Sequence, residues 1–161
     1  MTARAADLAR MNRQELDAVF RSAIPGLVPV GRTRGTALLA PGSSLDAVFK
    51  PLIRALIWKG KVFSPASEDL KNLLSPFGIQ GIRATVYEDT SWFDQQPAII
   101  IDYSRTSIVA RMVRDEIREV APGVYLGQIF LGKTRIGHFM LEAGSQPATL
   151  PNPAVSGGAG A

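Results

Sequence analysis

The chain has 161 residues, 46% of them hydrophobic, which is the length of one domain with enough apolar material for a proper core. It contains no cysteine, so disulfides, zinc ribbons and cysteine nucleophiles are excluded. A net charge of +4 permits an acidic partner, but basic residues such as Arg32, Lys50, Lys61, Arg83, Arg111 and Arg135 are spread along the chain without a dense tract, as on an ordinary solvated surface.

Charges are scattered through the first twenty residues, which therefore lack the unbroken apolar core of a signal peptide. No apolar run approaches the roughly 18 residues of a membrane span. The expectation is a soluble, cytoplasmic protein without a membrane span. Asn12, with Glu15 three residues on and Leu16, Val19 and Phe20 at helical spacing, predicts a capped helix over 12–22. Pro25, Gly26 and Pro29 end it, and an extended segment follows over 28–39. Beyond Ser44, Leu45, Val48, Phe49, Leu52, Ile53, Leu56 and Ile57 form one apolar helical stripe, kinked or restarted at Pro51. That helix is expected to cap the open end of a sheet or barrel.

Period two then takes over. "WKGKVF" read as a strand places Trp58, Gly60 and Val62 inward and Lys59, Lys61 and Phe63 on the wet face. "IQGIRATVYED" alternates Ile82, Ala84 and Val86 against Gly81, Arg83, Thr85 and Tyr87, a half-buried strand. "PAIIIDYS" is a continuous apolar run, expected to be a strand buried on both faces. Residues 107–120 carry both helical and strand signals; the reading adopted is a helical turn over 107–111 and a strand over 113–120. Pro122-Gly123 turns into a strand over 124–131, and Gly132-Lys133 turns it back over 135–141. The tail, 144–161, is rich in Pro, Gly, Ser and Ala and is expected to be disordered.

Glycines at 60, 81, 127 and 137 fall inside these strands, where they suit bends and barrel corners. The fold class expected is mainly β: an antiparallel, strongly curved sheet or closed lipocalin-like barrel with one or two N-terminal or capping helices. Residues 1–27 form the helical segment, 28–143 the barrel domain and 144–161 the tail.

The order "GRTRGTALLAPGSSLD", "WKGKVF", "SWFDQQPAIIIDY", "RDEIREV" and "GVYLGQIFLGKTRIGHFML" resembles the GxWxG class of small proteins related to lipocalin-like (calycin) barrels, over residues 28–142. Gly31 and Gly35 match the bracketing glycines, but Thr33 stands where that class has tryptophan. The resemblance implies a small antiparallel barrel with an apolar cavity and no established reaction.

His138 is the one histidine, and with Ile136 and Met140 on its face it could line such a cavity. One His without Cys does not build a zinc site, so no metal site is expected. Haem needs only one proximal His, and some lipocalin-like barrels hold it through a C-terminal strand; the competing reading is a partly buried structural histidine. Trp92, Tyr103, Tyr125 and Phe130 join Trp58 and His138 as candidate ligand contacts, and Asp102, Tyr103 and His138 as candidate catalytic groups. Against this, aromatics dominate cores with or without a ligand, Asp94 can cap a turn before Pro97, and Asp102 can pair with an arginine. Asp115 and Glu119, interleaved with Arg114 and Arg118, read as salt bridges on a wet strand face.

Three functions stay open. The first is a soluble barrel binding a small hydrophobic molecule such as a fatty acid, a terpenoid or a tetrapyrrole. The second is a cofactor-independent isomerase, lyase or cyclase acting on a hydrophobic metabolite in the same cavity. The third, a nucleic-acid module using Trp58, Lys59 and Lys61, is disfavoured because strand alternation separates the ring from both lysines.

Overall fold

The computed structural model describes residues 5–38, 61–63, 69–73, 80–105 and 111–144. The helix expected over 44–57, together with Trp58, Lys59 and Gly60, lies outside them, as do most of the turn expected over 107–111 and the tail from 145 onward.

Two helices open the chain, α1 (Ala5–Leu8) and α2 (Arg13–Ser22). The start of α2 is a reciprocal capping box. Asn12 Oδ1 accepts the Glu15 N–H at 3.0 Å, and Glu15 Oε2 accepts the Asn12 N–H at 2.7 Å. One face of α2 is apolar, and Leu16 and Phe20 from that face are buried with Leu8 of α1.

Eight strands follow: β1 (Gly31–Leu38), β2 (Lys61–Phe63), β3 (Asp69–Leu73), β4 (Gln80–Thr90), β5 (Pro97–Asp102), β6 (Val113–Ala121), β7 (Val124–Leu131) and β8 (Thr134–Ala143). Every strand pairs antiparallel with the next, and β1 pairs with β8 as well as with β2, so the ladder closes on itself. The molecule is thus mainly β and antiparallel, and the strand expected over 113–120 and the hairpin after it are present.

Alternation along the strands separates two cores. The interior holds Phe63, Ala84, Val86, Ile99, Ile101, Tyr103, Val113, Ile117, Tyr125, Ile129, Phe139 and Leu141. The outer face of β1, β7 and β8 contributes Leu38, Leu126 and Met140 to a second cluster with Leu8, Leu16 and Phe20. The two helices therefore cover the outside of the sheet.

Two expectations are corrected. Phe63 was placed with the lysines on the wet face, whereas it is 3% exposed in the interior core. Burying an aromatic ring outweighs a phase extrapolated from Trp58 across a strand of three residues. The "RDEIREV" strand was read as wet, yet Arg114, Asp115, Glu116 and Arg118 are all buried. Both faces of β6 are covered, one by the interior and the other by α2 and the turn at 91–96.

Gly127 explains itself by a close approach. It pairs with Phe139, whose ring lies over it in the interior, and a Cβ at 127 would overlap that ring. This is an aromatic ring packed on a glycine rather than a bend. Gly127→Ala should therefore cost about 1–3 kcal/mol by overpacking, read from urea unfolding, and combining it with Phe139→Leu should recover part of that loss.

Candidate functional site

The interior wall is apolar except at a few places. Tyr103, just past β5, and Asp115 of β6 both point inward and are at most 1% exposed. The Tyr103 hydroxyl donates to Asp115 Oδ2 at 3.2 Å. Their neighbours are set by register: Ile101 opposes Asp115 across the β5–β6 pair, and Asp115 opposes Ile129 across β6–β7. A carboxylate is thus seated on a wall of isoleucines. Nearer the other end, Tyr125 donates to the Leu27 carbonyl at 2.7 Å, and burial first, then the Glu119 charge, raises its pKa to about 12. Tyr125 accordingly stays neutral and ties the 23–30 connection to the sheet.

The outer face carries the rest of the polar groups. One cross-strand row runs Tyr87, Ile100, Glu116, Gln128, His138 and Leu38. Glu116 takes hydrogen bonds from the Ser91 hydroxyl, the Trp92 N–H at 2.8 Å and Arg114 Nε at 3.0 Å. Two strand positions on, Arg118 places two guanidinium nitrogens on Asp94 at 2.6 and 2.7 Å and donates to the carbonyls of Phe20, Gln96 and Pro97. Its guanidinium also lies 4.4 Å from the Phe20 ring centroid. Burial raises the Asp94 pKa, but the bonds from Arg118 and the Gln96 N–H outweigh it and hold the carboxyl below the ordinary range.

His138 belongs to this face. Its Nε2 lies 2.9 Å from Asp17 Oδ1 of α2, and the same carboxylate receives both terminal nitrogens of Arg135 at 2.7 and 2.8 Å. Burial and the Arg135 charge lower the histidine pKa to about 4 against the pull of Asp17, so the ring is neutral and Nε2–H is the donor. Burial raises the Asp17 pKa, and Arg135 with His138 more than reverses that.

The sequence-derived site residues therefore do not converge. Tyr103 and Tyr125 are interior. Trp92, Phe130, Asp102 and His138 are outside: Trp92 meets Phe130 edge-on at 5.6 Å, and Asp102 accepts from the Tyr87 hydroxyl at 3.3 Å. His138 was grouped with Ile136 and Met140; a register shift between Ile129 and Phe130 separates them, so Ile136 packs on the interior core while His138 and Met140 face outward. An interior haem would find no ligand in a histidine that faces α2. Asp115, for which the sequence favours a salt bridge on a wet face over acid–base work in a cavity, is instead buried and turned inward. The buried Gln128 was not singled out, and its amide has no hydrogen-bond partner among the described residues. No group of three or more His, Asp or Glu is placed to hold a metal ion among the described residues, and no described helix is long and apolar enough to cross a membrane.

A crystal structure of a protein from Thermomonospora curvata has a similar fold, with a TM-score of 0.59 at 21% identity over 84% of this chain and 89% of that one. No family model and no curated protein matches the chain.

Three outcomes follow from this geometry. Asp94→Ala leaves the Arg118 guanidinium buried without its partner and should cost about 3–5 kcal/mol in chemical denaturation. Gln128→Met removes two unpaired polar atoms at nearly constant shape and should raise stability by roughly 1 kcal/mol. His138, whose folded pKa of about 4 lies below its ordinary 6.5, takes up its proton in the unfolded chain first. Stability should therefore fall as the pH drops from 6.5 to about 4, by about 3 kcal/mol from this group, and His138→Gln should flatten that part of the profile.

Proposed function

We propose that the chain is a lipocalin-like barrel that holds a small hydrophobic molecule, of the fatty acid, terpenoid or tetrapyrrole kind, inside its closed sheet. The observation that carries this reading is the Tyr103–Asp115 pair. Both groups are buried on a wall that, among the described residues, is built mainly from isoleucine, valine, phenylalanine, leucine and alanine, with Tyr125 toward its other end. Sequestering a carboxylate costs several kcal/mol that an apolar residue of like volume would not. A binding site needs a few placed polar groups on an apolar lining to orient its ligand, and the Tyr103–Asp115 pair supplies them. In this reading Tyr103 and Asp115 take the polar end of the ligand and the aliphatic wall takes its body.

The enzyme alternative, an isomerase, lyase or cyclase, draws on the same cavity. Two of its three candidate groups, Asp102 and His138, lie on the outer face, which leaves Tyr103 with Asp115 as the pair able to move a proton.

Native mass spectrometry with organic extraction tests the binding reading. The expected result is a co-purifying small molecule, or uptake of one equivalent of the neutral probe N-phenyl-1-naphthylamine. Tyr103→Phe should then weaken retention of a natural ligand roughly two- to tenfold, the worth of one hydrogen bond, without unfolding the protein. An empty protein that takes up no neutral probe overturns the proposal.

A further inference from the structure

A pocket lies outside the sheet, at the end where β5 leaves, β6 begins and β7 turns into β8. It is open to solvent and has a volume of about 340 Å³, the small end of the range for small-molecule sites. Trp92 lines it, with Ser104, Arg111, Arg114, Lys133 and Asp102 as its polar residues.

Trp92 is held, not loose, although 39% of it is exposed. Its N–H is fixed on Glu116, its ring meets Phe130 edge-on, and Arg114 and Lys133 place their charges 4.3 and 4.9 Å from its centroid. The β7–β8 turn is equally fixed. Gly132 takes the positive φ that a two-residue hairpin turn requires, and its N–H donates to the Met112 carbonyl at 2.8 Å. That bond ties the wall bearing Lys133 to the wall bearing Arg111.

The charge balance points one way. With Glu116 paired to Arg114, three cations meet two carboxylates and a net positive charge is left at Arg111 and Lys133; the Asp102 oxygens are held back by the Ser104 N–H at 2.8 Å and the Tyr87 hydroxyl at 3.3 Å. Arg114 spends Nε on Glu116 and Nη2 on the Thr90 carbonyl, which fixes its plane over the indole. Arg111 and Lys133 are exposed at the rim. An excess of positive charge beside a partly exposed, rigid aromatic ring suits a ligand with a flat apolar body and an acidic group.

We propose that this pocket binds a small planar organic anion, its ring against Trp92 and its acidic group between Arg111 and Lys133. The site is separate from the interior. Arg114 points outward beside Asp115, which points inward, so the two sites stand on opposite faces of one strand.

The test is isothermal titration of the full-length protein with 2-naphthoate, and with its uncharged carboxamide as the matched control. Binding of one equivalent of naphthoate is expected, at least tenfold tighter than the carboxamide and weakening as salt rises. Arg111→Ala/Lys133→Ala, which changes only exposed side chains, should lower naphthoate affinity roughly tenfold or more, while Tyr103→Phe should leave it unchanged. Amide shifts in NMR spectra should cluster at Ser104, Met112 and Gly132. Equal affinity for acid and amide, binding untouched by the double substitution, or no binding at millimolar naphthoate would each overturn the proposal. Since the interior reading is tested with a neutral probe and Tyr103→Phe, the two can fail independently.

Discussion

The structure turns on how β6 disposes of its charges. A strand buried on both faces is ordinarily a hydrophobic run, yet this one reads Val-Arg-Asp-Glu-Ile-Arg-Glu-Val. Its three outward charges, Arg114, Glu116 and Arg118, are satisfied almost entirely by the connection between β4 and β5, which lies lengthwise across them. Trp92 takes Arg114, Ser91 and the Trp92 amide take Glu116, and Asp94 with two carbonyls takes Arg118. The turn is thereby fixed by the strand, and the strand is made tolerable by the turn.

Helix α2 is fastened to the same system. The Phe20 carbonyl near its C-terminal end accepts from Arg118 and its ring lies beneath that guanidinium, while Asp17 one turn earlier grips Arg135 and His138 of β8. Phe93, from the turn, packs edge-on against Phe20 at 6.1 Å and carries the Arg21 and Arg135 guanidiniums over its ring. The helix is thus attached to the barrel wall by aliphatic contacts at one edge and by charge at the other. Among such contacts, those to a buried arginine with all five N–H groups engaged are the ones that tolerate least change.

What could be read from the sequence was what is encoded locally. The Asn12–Glu15 capping box is a four-residue signature, and it is present as written. Strand β7 ends where its turn residues end it, at Val124 and Leu131. The double burial of "AIII" in β5 is stated by composition alone. What could not be read depends on partners far along the chain. Charges in a strand ordinarily mean water, and nothing near residue 118 announces that residues 20 and 94 will cover it. His138 is a buried histidine that shares its face with Met140, and the single extra residue in the ladder turns Ile136 to the other side, a shift that period-two reading does not detect. Tyr103 was chosen for its ring, but its partner Asp115 was hidden in a run that looked solvent-facing.

The fastening of α2 also has a consequence for the order in which the molecule can be made. The helix emerges from the ribosome well before its anchors, Arg118, Arg135 and His138, which come 98 to 121 residues later. The ladder has the same property, since β1 is hydrogen-bonded along most of its length to β8. Early segments must therefore wait with their apolar faces unpaired until the last hairpin is synthesised, and folding is a late, concerted event dominated by distant contacts.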